Sequence, residues 1–446
     1  MLQGRDHDEA HAPTMRAPTF RVMLVVTLTL GMLPSAIDLS NAFVNADIDK
    51  IIHLRLPQGH WLAPELRRCD PARHCLRLRK SLCGCVQAAR LWFSLLVKHL
   101  VSLGFSQSRA DPCPFLLRLG GSLALMLGLH VDDVAIASSS ARLRASLVSE
   151  LRRTFDLRDE GALRDFLGLR IDRTSSGLHL SQGHCVRKLL QRFRMTEADP
   201  MSTPMAPGVH FAQPSDLLDG PDVSTCRSLV GGLLFVAGMT RPDTAVALSK
   251  LCKHMAKPTR ATLTAAKRVL RYLKHTATLG VTLRPAALTD GHCTLSAFCD
   301  ASHGDSPKAR STAGFFHRLH SSVILWSARP QSFVAFSTTE AEYATACACL
   351  REGQWLLHLL GEMDMSVRTP AIVKNDNKGA IALAQADKSH HRTKTCRIHC
   401  HLVKQLVEEG LFRLEHVPST DNPADASSKP LASSTFEKHR DALLSS

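Results

Sequence analysis

Apolar runs of strand length alternate with charged, helical stretches along most of this chain. Between residues 20 and 200, Leu143 to Phe155 is one such stretch, with apolar residues at helical spacing and arginines between them. Residues 225–283 predict basic helices, and a second alternation of strands and helices covers about 292–430. The pattern predicts an α/β (α+β) protein with more than one domain.

Proline and glycine mark the boundaries between these regions. The stretch 199–224 is rich in Pro, Gly, Ser and Asp, which is typical of a linker. The polar N-terminal residues predict an unstructured lead-in. The predicted organisation is a disordered lead-in at 1–19, a first domain at 20–198, a linker at 199–224, a helical connection at 225–290, a second domain at 291–430 and a tail at 431–446.

Charge and cysteine content narrow the class of protein. Lys and Arg total 55 against 40 Asp and Glu, a net charge of +15, which favours polyanionic partners and nucleic acid first. Fourteen cysteines scattered over 446 residues predict reduced thiols in a cytoplasmic or nuclear protein rather than a secreted disulfide scaffold. The apolar run from Val22 to Ile37 is short for a membrane span, so no membrane partner is expected. A signal peptide is the alternative for this run.

Paired carboxylates at Asp132 and Asp133 lie between two apolar runs, which predicts a strand, a tight turn and a second strand. Burying adjacent carboxylates costs several kcal/mol unless a partner neutralises them, and a divalent cation does so. A polar hairpin turn is the alternative. Asp38 ends another apolar segment. Three carboxylates on neighbouring strands can hold two Mg²⁺ ions for phosphoryl transfer. In that reaction one ion activates the attacking oxygen, and the other stabilises the leaving group.

A second acidic set lies in the C-terminal half. Asp300 and Asp376 end short apolar strands, Glu340 and Glu342 lie near a helix start, and Asp425 opens a last helical piece. Such a set of carboxylates predicts a Mg²⁺ site for phosphodiester hydrolysis with water as the nucleophile. The alternative is that these residues are helix caps and solvated acids.

Further short segments occur in a fixed order along the chain. They are Ile37-Asp38-Leu39-Ser40-Asn41-Ala42-Phe43, Arg79 to Trp92, Leu103-Gly104-Phe105, Ala110-Asp111-Pro112-Cys113, His130-Val131-Asp132-Asp133, Phe166-Leu167-Gly168-Leu169, Arg227 to Gly231 and Thr240-Arg241-Pro242-Asp243. This ordered series resembles the polymerase of Ty1/copia-type retrotransposons. The later part resembles the ribonuclease H domain of the same elements. Its segments are Asp300-Ala301-Ser302, Lys308 to Gly314, Ser337 to Tyr343, Asn375 to Leu383 and Val417 to Thr420.

The resemblance implies a role for each candidate polymerase residue. Asp38, Asp132 and Asp133 are the implied catalytic metal ligands. Phe43 stands where the family places an aromatic ring against the sugar of a deoxynucleotide, with core packing as the alternative. Gln87 is implied to contact the incoming nucleotide, with an exposed helix residue as the alternative.

In the second half the resemblance implies that four acids are catalytic and bind metal. They are Asp300, Glu342, Asp376 and Asp425. Glu342 is preferred to Glu340 because it directly precedes the helix register of Tyr343 and Ala344. The implied fold is a reverse-transcriptase palm-like domain, a helical connection and a ribonuclease H-like domain.

We therefore expect an RNA-directed DNA polymerase with ribonuclease activity on RNA–DNA hybrids, which uses Mg²⁺. Its implied partners are an RNA template, DNA, the hybrid and deoxynucleotide triphosphates. We also expect an N-terminally truncated polymerase that lacks most of the fingers, and His130 replaces the family's Tyr before the paired aspartates. Two alternatives are a ribonuclease H-only hydrolase and a non-catalytic nucleic-acid-binding relic.

A histidine-rich and cysteine-rich segment suggests zinc as a minor alternative. It includes His390, His391, Cys396, His399, Cys400 and His401. These spacings match no standard zinc ligand set. Contacts of Lys388, Arg392, Lys394 and Arg397 with nucleic-acid phosphates are favoured over zinc, and a solvated basic face is an equal alternative to those contacts.

Overall fold

The computed structural model describes residues 10–209, 211, 216–306, 308–385 and 397–444. The chain divides into two compact units. Unit 1 comprises Met1–Arg16 and Met32–Leu163, and unit 2 comprises Ala17–Gly31 and Arg164–Ser446. The predicted boundaries at 198/199 and 290/291 do not coincide with this division.

Helices and strands alternate in both units, which confirms the predicted α/β class. The helices of the described residues are α1 (Ala17–Thr29), α2 (Ala42–Asn45), α3 (Ala88–Ser102), α4 (Ala141–Arg152), α5 (Gly183–Arg192), α6 (Gly220–Met239), α7 (Ala245–Cys252), α8 (Arg260–His275), α9 (Thr338–Glu362), α10 (Lys378–Gln385), α11 (Arg397–Glu408), α12 (Asp425–Ser428) and α13 (Ser433–Leu444). The strands are β1 (Leu33–Leu39), β2 (His53–Arg55), β3 (Cys75–Arg77), β4 (Ser106–Gln107), β5 (Pro114–Leu119), β6 (Ser122–His130), β7 (Asp133–Ser138), β8 (Leu157–Ala162), β9 (Asp165–Phe166), β10 (Leu169–Thr174), β11 (Gly177–Ser181), β12 (Val281–Leu283), β13 (Leu295–Ser302), β14 (Thr312–Leu319), β15 (Ser322–Pro330), β16 (Ala371–Asn375) and β17 (Phe412–His416).

Unit 1 is built on an antiparallel sheet of six strands in the order β4-β5-β6-β7-β1-β8. Helix α3 buries Trp92, Leu96 and Leu100, which recur every four residues and therefore lie on one helical face. These side chains join apolar side chains of the sheet, such as Leu127 and Ile136, in one core. The arrangement is the palm-like sheet that the resemblance implied.

Unit 2 contains the predicted helical connection. Helix α8 begins at a capping box in which Thr259 and Thr262 exchange side-chain and backbone hydrogen bonds. Helix α6 begins at Gly220, inside the stretch that was predicted as a linker. Pro221 lies in its first turn, where proline is tolerated because the first helical N–H groups have no partner within the helix.

A five-stranded sheet follows in the order β15-β14-β13-β16-β17. Strands β13, β14 and β15 are antiparallel, and β16 and β17 run parallel to β13. Helix α9 crosses from β15 to β16 and packs on β13. The predicted tail at 431–446 instead contains α13, because its spacing places Phe436, His439 and Leu443 on a buried face.

Helix α1 belongs to unit 2, although the predicted first domain began at residue 20. It is buried from Thr19 to Thr27, as expected for a helix that is apolar around most of its circumference. Arg21 Nε donates a hydrogen bond to the Ile324 carbonyl of β15 at 2.7 Å. In the described part of the chain, none of the helices combines the length and apolar character needed to cross a bilayer.

Candidate active sites

Strand β1 and the β6–β7 hairpin bring the three predicted acids of unit 1 to one edge of the sheet. Asp38, near the end of β1, is the direct cross-strand partner of Asp133 in β7. Asp132 lies in the hairpin turn, and its carbonyl accepts a hydrogen bond from the Leu39 N–H at 2.9 Å. Directly paired residues have Cβ atoms about 5 Å apart, so the side chains of Asp38 and Asp133 lie side by side on one face of the sheet.

The carboxyl group of Asp133 lies partly buried among other acids. Burial raises its pKa, and the nearby carboxylates of Asp132, Asp38 and Glu160 raise it further. Glu160 lies on β8, which pairs with the other side of β1. Sequence reasoning missed Glu160, because its proximity depends on that strand pairing.

Helix α3 supports the hairpin turn that carries Asp132. Val131 has a φ of +62°, a left-handed conformation that is rare for a β-branched residue. The Trp92 indole N–H donates a hydrogen bond to the Val131 carbonyl at 2.7 Å. Beside this turn, burial lowers the pKa of His130, and its Nδ1 has no hydrogen-bond partner among the described residues.

The two predicted nucleotide contacts lie in different surroundings. Phe43 of α2 is half-buried and packs against the core of unit 1. Gln87 is fully buried at the start of α3, so the alternative of an exposed helix residue is wrong. Its side-chain amide donates a hydrogen bond to Asp49 Oδ1 at 3.3 Å. The nucleotide-binding roles of both residues stay predictions.

Three predicted acids of unit 2 form a tight cluster. Asp300 near the end of β13 and Asp376 directly after β16 lie at the same edge of the sheet, because these strands are parallel neighbours. Glu342, in the second turn of α9, joins them from above β13. Their carboxylate oxygens lie within 4.8 Å of one another, and no other group of three His, Cys, Asp or Glu residues does so in the described part of the chain.

Neighbouring polar groups orient these carboxylates. Glu342 accepts hydrogen bonds from the Ala301 N–H at 3.0 Å and from the Asn375 side-chain amide at 2.9 Å. Asp376 accepts one from the Ser419 hydroxyl at 2.6 Å. The Ser428 hydroxyl donates to Asp300. Each ligand candidate therefore has at least one fixed partner besides the cluster itself.

The cluster carries negative charge that burial makes costly. Burial and the carboxylate of Asp425 raise the pKa of Asp300, and burial and Asp300 raise the pKa of Glu342. A bound cation reverses this effect, since it favours the ionised form of each acid. Three converging carboxylates are an all-oxygen donor set, so these residues fit a hard divalent cation.

The fourth predicted acid lies beside the cluster but outside the closest group. Asp425 begins α12 and is buried, and its Oδ1 lies 2.9 Å from the Lys429 ammonium. The rejected alternative, Glu340, does not join the cluster. It accepts a hydrogen bond from the Phe336 N–H at 2.7 Å, next to the start of α9.

Comparison with known proteins finds similarity to retroelement polyproteins and to a reverse transcriptase family. A family profile described as "Reverse transcriptase (RNA-dependent DNA polymerase)" matches residues 1–207. The chain is 33% identical over 438 residues to the retrovirus-related Pol polyprotein from transposon RE1 of Arabidopsis thaliana, covering 97% of this chain and 29% of the relative. It is 23% identical over 458 residues to the transposon Ty1-H Gag-Pol polyprotein of Saccharomyces cerevisiae, covering 97% of this chain and 24% of the relative.

Residues 1–207 match the reverse transcriptase family, and the chain as a whole is similar to Pol polyproteins of Ty1/copia-type retrotransposons. It spans less than a third of the length of these two curated relatives. Among solved structures, it is similar to a foamy viral protease-reverse transcriptase in complex with an RNA/DNA hybrid. That match has a TM-score of 0.46 and 12% identity, and it covers 89% of this chain and 45% of the other.

Sequence reasoning missed the groups that surround the acids of both units. They are Glu160, Asn375, Ser419, Ser428 and Lys429. Asn375 stands directly before Asp376 in the sequence, and Lys429 lies four residues after Asp425, so helical spacing was the one available signal for the lysine.

The segment with the zinc alternative lies mostly outside the described residues. Residues 386–396 are not described, and neither are the side chains of 397–400. The zinc alternative and the predicted phosphate contacts of Lys388, Arg392, Lys394 and Arg397 therefore stay predictions.

Proposed function

We propose that this chain is an RNA-directed DNA polymerase that also cleaves the RNA strand of RNA–DNA hybrids. The observation that carries the proposal is the pair of acid clusters in one chain, the tighter of which consists of Asp300, Glu342 and Asp376 within 4.8 Å. The match to a reverse transcriptase family, the similarity to retrotransposon polyproteins and the net charge of +15 support nucleic-acid substrates.

We assign Mg²⁺ as the metal of both sites. Asp38, Asp132 and Asp133 would hold it in unit 1, and Asp300, Glu342 and Asp376 would hold it in unit 2 beside Asp425. When bound, divalent cations stabilise the charge that develops on phosphate oxygens during phosphoryl transfer. The all-oxygen donor sets and the raised pKa values of Asp133, Asp300 and Glu342 support this assignment.

Neighbouring side chains orient the carboxylates of the proposed hydrolytic site. Asn375 holds the carboxylate of Glu342, and Ser419 holds that of Asp376. These hydrogen bonds limit side-chain rotation, so the carboxylates are oriented before substrate binds. RNA paired with DNA is the proposed substrate of this site.

For the polymerase, the proposed substrates are an RNA template, a DNA primer and deoxynucleotide triphosphates. Asp38 and Asp133 face each other across paired strands, and Asp132 projects from the turn beside them. Phe43 is proposed to contact the sugar and Gln87 the incoming nucleotide. Trp92 holds the turn through its hydrogen bond to Val131.

A labelled RNA–DNA hybrid tests the hydrolytic proposal. With Mg²⁺, the protein should cleave only the RNA strand, and Asp300→Asn should reduce the rate at least about 100-fold because it removes a central charge of the cluster. Asp290→Asn is the matched control, since Asp290 is exposed on the same unit and Asn tolerates its positive φ. A folded protein that leaves the hybrid intact would contradict the proposal.

Primer extension on an RNA template tests the polymerase separately. Extension should require Mg²⁺ and should be lost in Asp132→Asn, whereas Asp47→Asn, a change at an exposed acid of unit 1, should extend normally. Cleavage without extension would favour the ribonuclease H-only hydrolase. Binding of hybrid without either reaction would favour the non-catalytic relic.

A further inference from the structure

A lysine ammonium lies against the acid cluster of unit 2. Lys429 Nζ is 2.9 Å from Asp425 Oδ1 and 4.0 Å from Asp300 Oδ2. Both carboxylates are buried, whereas 41% of the Lys429 side chain is exposed. The ammonium therefore reaches the buried acids from the solvent side.

The surroundings of the cluster are asymmetric. On the side of Glu342 and Asp376, the fixed partners described above are neutral donors, the amide of Asn375 and the hydroxyl of Ser419. On the side of Asp300 and Asp425, the Ser428 hydroxyl donates to Asp300, and the Lys429 ammonium adds a full positive charge. A cation between two carboxylates neutralises part of their negative charge, as a metal ion would. The Asp300–Asp425 side therefore has less net negative charge to attract a divalent ion than the Glu342–Asp376 side.

We propose that Lys429 is a resident cation that occupies the Asp300–Asp425 side of the cluster and limits the free protein to one bound divalent ion. That ion is held by Asp300, Glu342 and Asp376, and a second ion binds next to Asp425 only when the ammonium moves away. The inference rests on the proposed function, because it assigns the ions of the same hydrolytic site.

Electrostatics and flexibility support this role. A unit charge and a divalent ion about 4 Å apart repel by several kcal/mol at the effective dielectric constant of a protein surface, so they exclude each other from one pair of carboxylates. The four-carbon stem of lysine has rotatable bonds, and its half-exposed position gives the ammonium a route to solvent. Lys429 is thus a positioning residue that controls occupancy of the site.

The experiment counts Mn²⁺ ions bound to the full chain in the absence of nucleic acid. All proteins carry Asp132→Asn and Asp133→Asn, so that the acids of unit 1 contribute little. Isothermal titration and electron paramagnetic resonance give the number of ions and the affinities. With Lys429 present, one ion should bind. Lys429→Met should bind two, the second at least about tenfold more tightly than any weak second binding seen in the parent at high Mn²⁺, because the competing charge is gone.

Two further variants separate charge from structure. Lys429→Arg keeps the positive charge and should still bind one ion. Lys438→Met is the matched control, because Lys438 also pairs with an aspartate at 2.9 Å, but both partners are more than half exposed. It should bind one ion. Thermal unfolding checks that each variant is folded, and Lys429→Gln replaces Lys429→Met if the latter is not.

The outcomes distinguish a failure of the role of Lys429 from a failure of the proposed metal site. Two ions of similar affinity in the parent, or a single ion in both folded neutral variants, would overturn the role of Lys429 while leaving the proposed function intact. No bound ion in any variant would contradict the proposed metal site itself, and the inference with it.

Discussion

The two acid clusters of this chain are built in different ways. In unit 1, Asp132 lies exposed in a hairpin turn and Asp133 is half-buried. In unit 2, Asp300 and Glu342 are buried near the end of the central strand of a mixed sheet, and neighbouring side chains hydrogen-bond to each acid. The first cluster depends mainly on the shape of one turn, and the second on many long-range contacts. We therefore expect the second to be more rigid and more dependent on charge compensation.

The chain path explains this difference. Antiparallel pairing of β1 with β7 places Asp38 opposite Asp133 without any other element. The second cluster needs the parallel strands β13 and β16 and helix α9, which lies in the crossover between β15 and β16, because parallel neighbours require a crossover. More elements contribute to it, so more substitutions should disturb it.

The largest expected effect comes from a substitution of Gly314. This residue lies on β14 and is the cross-strand partner of Asp300 on β13. A Cβ at this position would lie 2.5 Å from the backbone carbon of Ser427 and 2.6 Å from its oxygen. Gly314→Ala should displace α12, reduce hybrid cleavage at least about 100-fold and lower the free energy of unfolding by about 3 kcal/mol. Primer extension should change little. Gly361→Ala is the control, because open space surrounds that position. Normal cleavage by Gly314→Ala would contradict the close packing of α12.

The next effect concerns Arg21 of α1, which is fully buried in unit 2. It donates hydrogen bonds to the carbonyls of Ile324, Gly238 and Met239 and stacks 3.8 Å from the Trp326 ring centre. Arg21→Ala should lower the free energy of unfolding of unit 2 by about 3 kcal/mol, since it removes three hydrogen bonds, the one to Ile324 fully buried and the other two partly buried.

Hydrogen exchange measured region by region checks this expectation. Protection should fall in β15 and remain unchanged in β6 and β7 of unit 1. Arg21→Lys retains one donor group and should cause a smaller loss. An equal loss of protection in both units would contradict the assignment of α1 to unit 2.

The third expectation is a pH dependence of unit 2 in the absence of divalent ions. The pKa of Asp300 is raised to about 7 and that of Glu342 to about 8, mainly by burial. The folded state therefore binds protons more tightly than the unfolded state, whose values lie near 4, and the stability contributed by these acids is lost as pH rises from about 4 to 8. The free energy of unfolding should fall by several kcal/mol over this range.

Urea unfolding at pH 5 and pH 8, monitored by exchange in α9, measures this slope. Saturating Mg²⁺ should recover most of the loss, and Asp300→Asn should flatten the pH dependence. Unit 1 should show a weaker slope, because Asp133 is only half-buried. Rising stability of unit 2 between pH 5 and 8 without metal would show that these acids are not the controlling groups.

The smallest expected effect is at Trp92, which supports the turn of the first cluster. Trp92→Phe removes the hydrogen bond to the Val131 carbonyl but keeps an aromatic ring in the core. Primer extension should slow about tenfold, mainly in kcat, with a loss of about 1 kcal/mol in stability. Hybrid cleavage should not change. Trp61→Phe, at a site 55% exposed, is the control. Equal slowing of both reactions would indicate a general folding defect.

Several features of this protein were predictable from the sequence. Apolar runs that end at Asp38, Asp300 and Asp376 predicted strands with acids at their ends, because side-chain periodicity and burial are local properties of a strand. Helical spacing predicted the amphipathic helices of the connection. The order of the motifs predicted the family and, with it, which acids to examine.

Tertiary structure alone decided where these local elements lie and which side chains meet. It placed α1 in unit 2, made α13 from a predicted tail and brought Lys429 to Asp300 across more than a hundred residues of sequence. Burial and Coulomb interactions depend on distances in space, and a linear pattern does not contain those distances. The sequence therefore determined which carboxylates are available, and the packing of strands and helices decided which of them meet and which charge balances them.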